Sequence, residues 1–148
     1  MKAFNPILLV VAGIILITII GCNNKNIKEG SIEDLKALLQ TQKDSTNIIL
    51  SIEGLDFGLI HYTRLDRQGK LSIIHFDREL NSKLNLSLGE DSLKSKSYTT
   101  GDSLKFDLTY DSNNVDPAVR LSKYYLFDYR GLDKGHKFKY EIFELHKQ

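Results

Sequence analysis

Few side chains in this sequence have a type and spacing that could do chemistry. His61, His75, His136 and His146 are never paired as H-x-H or H-x-x-x-H, and none neighbours a cysteine, so no metal-ligand set is spelled out. His75 with Asp77 sets a histidine and a carboxylate at strand spacing. Asp111, Asn113, Asn114 and Asp116 bring oxygen ligands close together, as a calcium loop would. The central glycine and terminal glutamate of an EF-hand loop are missing, however, and a solvated turn is expected instead. Nucleophilic catalysis would need a serine held at an elbow beside a base, and no G-x-S-x-G occurs. The expectation is a protein that is not an enzyme and holds no metal and no dissociable cofactor.

Two other features stand out. Tyr124-Tyr125-Leu126-Phe127-Asp128-Tyr129 is aromatic or apolar on both alternations. Read as a strand, it lies centrally with both sides covered, or it exposes Tyr124, Tyr125, Phe127 and Tyr129 as a partner contact; central burial is favoured, because exposed aromatic patches are rare in monomeric domains. A sugar-binding platform usually leans on tryptophan, and the chain has none. The second feature is Cys22, the only cysteine, which cannot form an internal disulfide.

The residues before Cys22 give it a role. Lys2 and the amino terminus make a short cationic region, and Ile7 to Ile20 is an uncharged apolar run of fourteen residues. A membrane span needs about 20, so this length fits the apolar region of a secretory signal. Ile19-Ile20-Gly21-Cys22 then places aliphatics three and two residues before the cysteine and a small residue directly before it. This resembles the lipobox of bacterial lipoprotein signal peptides. The resemblance covers the targeting segment alone and implies cleavage between Gly21 and Cys22, with covalent diacylglycerol and N-acyl lipid on Cys22. Loss of residues 1–21 leaves 127 residues with 19 basic and 19 acidic side chains. Acyl burial at about 0.8 kcal/mol per CH₂ would hold such a protein on a membrane without help from the polypeptide. Asn23 is not the aspartate that retains lipoproteins in an inner membrane, and no acidic surface-export cluster follows it. The implied location is the outer membrane, facing the periplasm.

Composition bounds the rest. With 20 Lys+Arg against 19 Asp+Glu, the full chain has a net charge of +1, which excludes a nucleic-acid binder working by bulk electrostatics. A hydrophobic fraction of 41% excludes wholesale disorder. The pattern divides into a signal peptide (1–21), a lipidated polar tether (22–30) and one β-rich domain (31–148).

The elements of that domain follow from periodicity. Ser31 with Asp34 three residues on, then Ile32, Leu35, Leu38 and Leu39, predicts one short N-terminal helix. Thereafter the period is two. Strands are expected at Ile48–Ile52, Phe57–Leu65, Lys70–Phe76, Leu84–Leu88, Leu104–Tyr110, Leu121–Tyr129 and His136–Leu145, the last as an edge or outer strand with one wet face. Asp66-Arg67-Gln68-Gly69 reads as a hairpin turn with glycine in the left-handed position. Gly89-x-Asp91-Ser92-Leu93-Lys94 echoes Gly101-Asp102-Ser103-Leu104-Lys105 and reads as similar turns entering similar strands. Loops this short exclude parallel crossovers. The expected fold is mainly β, an antiparallel β-sandwich or, alternatively, a small β-barrel.

Three functions fit. The first is a structural or docking component of a cell-envelope complex such as a secretion system, binding an envelope protein by an edge strand or aromatic face. The second is a periplasmic immunity or inhibitor lipoprotein, presenting a charged loop such as Arg64–Arg67 or Leu132–Lys134. The third is a module that binds a hydrophobic ligand or glycan in an apolar cavity of several hundred Å³. The first is preferred, because no site chemistry is visible and an anchor supplies position.

Overall fold

The computed structural model describes residues 26–52 and 60–145. Gly21, Cys22 and the signal segment lie outside the described residues, as do Phe57 and His146. Seven strands form one antiparallel sheet: β1 (Asn26–Gly30), β2 (Thr46–Ser51), β3 (Ile60–Leu65), β4 (Gln68–His75), β5 (Ser95–Thr100), β6 (Ser103–Asp111) and β7 (Phe138–Glu144). Their order is β1-β7-β2-β3-β4-β6-β5. Three α-helices complete the fold, α1 (Asp34–Gln40), α2 (Leu80–Leu88) and α3 (Asp116–Lys123), with a 3₁₀ turn after α2 and a π-helix, Tyr124–Tyr129, after α3.

The domain is mainly β and antiparallel, as its alternating pattern requires. The sheet is open, and no second sheet faces it among the described residues. What covers it is helical. Ile48, Leu50, Ile60, Tyr62, Leu71, Ile73, Phe106, Leu108, Phe138 and Tyr140 lie on one face by register, and all are buried in one core with Leu35 and Leu39 of α1, Leu80, Leu84 and Leu88 of α2, and Ala118 and Leu121 of α3. The two layers are also stitched by polar bonds: the Tyr62 and Ser122 hydroxyls lie 2.7 Å apart, and Ser122 Oγ donates to the Ala118 carbonyl at 2.7 Å.

Two expected strands are helices, which is why no sandwich forms. Leu84–Leu88 alternates, but Leu80, Leu84 and Leu88 also recur every fourth residue and are buried, while Leu86 is 82% exposed. Leucine is a good helix former and carries no β-branch, so the four-residue spacing wins. Leu121–Tyr129 follows Asp116-Pro117, with proline in the first helical turn where its missing N–H costs nothing.

Three smaller corrections follow. Asn26–Gly30, expected in the tether, is β1 and pairs with β7, so β7 is an interior strand rather than an edge. The hairpin after β3 turns on Asp66 and Arg67, with Asp66 taking positive φ. Gly69 lies within β4, where a Cβ would overlap the ring of Tyr110 on β6, so glycine serves a close approach and not the turn. The two echoing glycines differ too: Gly89 ends α2, and Gly101 makes the β5–β6 turn, both at positive φ.

The N-terminal helix is as expected. Asp34 Oδ2 accepts from the Ser31 backbone N–H at 2.7 Å, the reciprocal half of a capping box.

Candidate functional site

The aromatic segment is wound as a π-helix, closed by Arg130 N–H donating to the Tyr125 carbonyl at 3.0 Å and stopped by Gly131 at positive φ. Such wider turns are rare and are often found at functional sites. Winding distributes the four aromatics around an axis rather than onto two faces. Tyr125 is buried in the core; Tyr124, Phe127 and Tyr129 are partly buried against it. These residues therefore do not form one contact surface, and only Tyr125 and Tyr129, stacked with ring centroids 5.8 Å apart, reach the same groove.

That groove, about 370 Å³, lies between the π-helix and the end of β4 and is lined by Ile74, His75, Phe76, Asp77, Tyr125, Tyr129 and Arg130. Its wall is held by specific bonds. Tyr129 Oη donates to Asp77 Oδ2 at 2.6 Å, while Asp77 Oδ1 accepts the Glu79 N–H at 2.9 Å. The tyrosine hydroxyl first, and the backbone N–H second, hold the Asp77 carboxyl below its usual range. In return that carboxylate pushes the Tyr129 hydroxyl up to about 12. Lys83 Nζ stands 6.0 Å from the Tyr129 ring. His75 Nε2 lies 2.7 Å from Asn81 Oδ1, and its Nδ1 is buried without a hydrogen-bond partner.

Phe76 is 74% exposed and Ile74 46% exposed at the rim of this groove. No sequence periodicity singles them out, since Ile74 follows directly on Ile73 in β4 and Phe76 lies just past the strand's end. The signal in the sequence was an aromatic following directly on an apolar strand and preceding the Asp77 turn.

The sheet face that none of the described helices covers carries a second polar cluster, with Ser72 and Asp107 themselves buried. His61, Ser72 and Asp107 stand side by side on β3, β4 and β6, three residue types used in nucleophilic relays. A relay needs the imidazole between serine and acid, whereas here serine is in the middle. Asp107 is instead engaged by the Tyr98 hydroxyl of β5 and by Lys105 Nζ at 3.6 Å. Burial, and secondarily the Lys105 charge, lowers the His61 pKa.

The remaining sequence candidates are dispersed. His136 packs on Phe138 with rings 5.2 Å apart, far along the chain from His61 and His75, and no metal-holding group of three such side chains occurs among the described residues. The Asp111–Asp116 segment is a turn, with Asp111 Oδ1 accepting the Asn113 N–H at 2.8 Å and Asp116 paired to Lys36 at 2.7 Å. A larger cleft of about 660 Å³ opens beside the end of α1, with Leu38, Ile48 and Ile142 among its lining and Gln42 donating to the Thr46 and Tyr62 carbonyls. No protein-family model matches the chain, and comparison with curated proteins and with solved structures finds no significant similarity.

Proposed function

We propose that this protein is a lipid-anchored docking component of the cell envelope, held through Cys22 on the periplasmic side of the outer membrane and binding an envelope protein at the Phe76 groove. The observation that carries the reading is the pair of apolar side chains, Phe76 and Ile74, left exposed at the rim of an aromatic groove. Exposed large apolar groups gathered beside a concavity are the usual mark of a contact surface.

The short link between the anchor and the sheet supports it. β1 begins at Asn26, and three residues separate it from Cys22. That chain spans at most about 14 Å, so an acylated Cys22 would hold the domain close to the headgroups. The registers align Asn26 with Ile142, Ile48, Tyr62 and Leu71 in mid-sheet, and β1 runs from there toward the end of the sheet where Phe76 follows β4.

Crosslinked capture of the full chain from its own membranes tests this. Phe76→Ser should leave folding unchanged and remove a stoichiometric envelope partner recovered with the unaltered chain. Recovery of the same partner by Phe76→Ser, or of no partner by either, sinks the docking site. For the anchor, the N-terminal fragment should carry the mass of the acyl groups on Cys22, and Cys22→Ser should lack it.

A second reading, a small-ligand module, draws on the 660 Å³ cleft. Thermal stabilisation by an apolar or glycan ligand, lost on Ile142→Trp, would favour it over docking.

A further inference from the structure

The two edges of the sheet are unlike. β1 has five residues, carries Lys28 and Glu29, and ends at Gly30. β5 has six, Ser95-Lys96-Ser97-Tyr98-Thr99-Thr100, all but Ser95 exposed, with unbroken pairing to β6 from Ser95↔Leu108 to Thr100↔Ser103. Native edges avoid further pairing by brevity, bulges, proline or clustered charge. β5 has no bulge and no proline, and its one charge is Lys96. Among the described residues no strand pairs with its outer side.

We propose that β5 pairs antiparallel with β5 of a second copy of this chain, joining two sheets across a two-fold axis at Ser97. The register follows from the side chains. Continuity of the two faces requires opposed residues to share a face, so the axis must pass through a residue and not between two. Centring on Lys96 sets lysine against lysine and is unfavourable. Centring on Ser97 sets Ser95 against Thr99 and, twice, Lys96 against the second copy's Tyr98. Tyr98 already uses one side in this manner: Lys105, its partner on β6, places Nζ 5.4 Å from the ring, and its hydroxyl is tied to Asp107. The ring is thus held from the β6 side while Tyr98 stays 42% exposed at the edge, and there the second lysine would complete a cation–aromatic–cation stack. Lys96 itself stands opposite Asp107, so the cation arriving at the interface is balanced from behind. This pairing uses neither the Phe76 groove nor the anchor and does not depend on the docking function.

The test uses the full chain, acylated and solubilised in mild detergent, with mass measured by sedimentation. A dimer is expected. Lys96→Gln should weaken it by roughly tenfold, from loss of two exposed cation–aromatic pairs, and Lys96→Arg should retain it. Under mild oxidation Ser97→Cys should crosslink to itself. Thr99→Cys, on the same face but set against Ser95, should not. A monomer at tens of micromolar overturns the proposal, as does a dimer indifferent to Lys96→Gln. Crosslinking through Thr99→Cys but not Ser97→Cys overturns the register.

Discussion

The two faces of this sheet come from the same strands and obey different rules. On the covered face, neighbouring positions across β2, β3, β4 and β6 are Ile48, Tyr62, Leu71 and Leu108, each at most 1% exposed. On the other face, open only in that none of the described helices covers it, the adjacent row is Ile49, His61, Ser72 and Asp107, a mixture of aliphatic, imidazole, hydroxyl and carboxylate in which Ser72 and Asp107 are buried. Helices seal the first. The second is held by local polar bonds, such as those of Tyr98 and Lys105 to Asp107. One face is therefore an apolar core closed by helices, and the other holds titratable groups among polar partners.

The difference between the faces should be largest at Leu71, fully buried at the centre of the covered face. Leu71→Ala should cost about 3 kcal/mol in urea unfolding, while Ile74→Ala on the opposite side of the same strand stays within about 0.5 kcal/mol. Equal losses would mean that the open face is packed as well. Gly69→Ala is next. Its methyl group meets the Tyr110 ring and should cost about 1–3 kcal/mol, part of it recovered when Tyr110 is shortened to leucine. Tyr62→Phe removes one buried bond to Ser122 and should cost about 1 kcal/mol, since Ser122 Oγ keeps the Ala118 carbonyl as acceptor.

The smallest effect belongs to the open face. Burial lowers the pKa of His61 in the folded chain, so the unfolded chain binds the extra proton first. Stability should hold above the ordinary histidine range and fall as pH drops below about 6.5. His61→Gln should flatten that fall, and an unchanged profile would assign it to another group.

How much of this was legible in the sequence depended on which spacings were ambiguous. β2 and β6 follow from alternation, β3 and β4 from the hairpin signal between them, and α1 from Ser31 and Asp34. Leu84–Leu88 obeys two periods at once, and only Leu80, upstream, decides between them. The aromatic run is rich in β-favouring residues, but the Asp116-Pro117 start and the burial of Ala118, Leu121 and Tyr125 at helical spacing make it helical. β1 has no alternation of its own; it is a strand because β7 offers an edge. For the same reason the groove was half visible. Tyr125 and Tyr129 were singled out as contacts, but Phe76 reaches them only through the fold, 49 positions before Tyr125 in the chain.

The incorporation of Asn26–Gly30 into the sheet also has a mechanical meaning. An anchor attached by a loose leader would let a pulled domain swing freely. Here tension between an anchor before Asn26 and a load at Phe76 would pass through the sheet, because β1 runs from mid-sheet toward the Phe76 end and is paired to β7 over its whole length. β1 would then be loaded in shear against β7, its five register pairs from Asn26↔Ile142 to Gly30↔Phe138 resisting together rather than peeling one after another. A domain strung this way transmits force through its sheet before it gives.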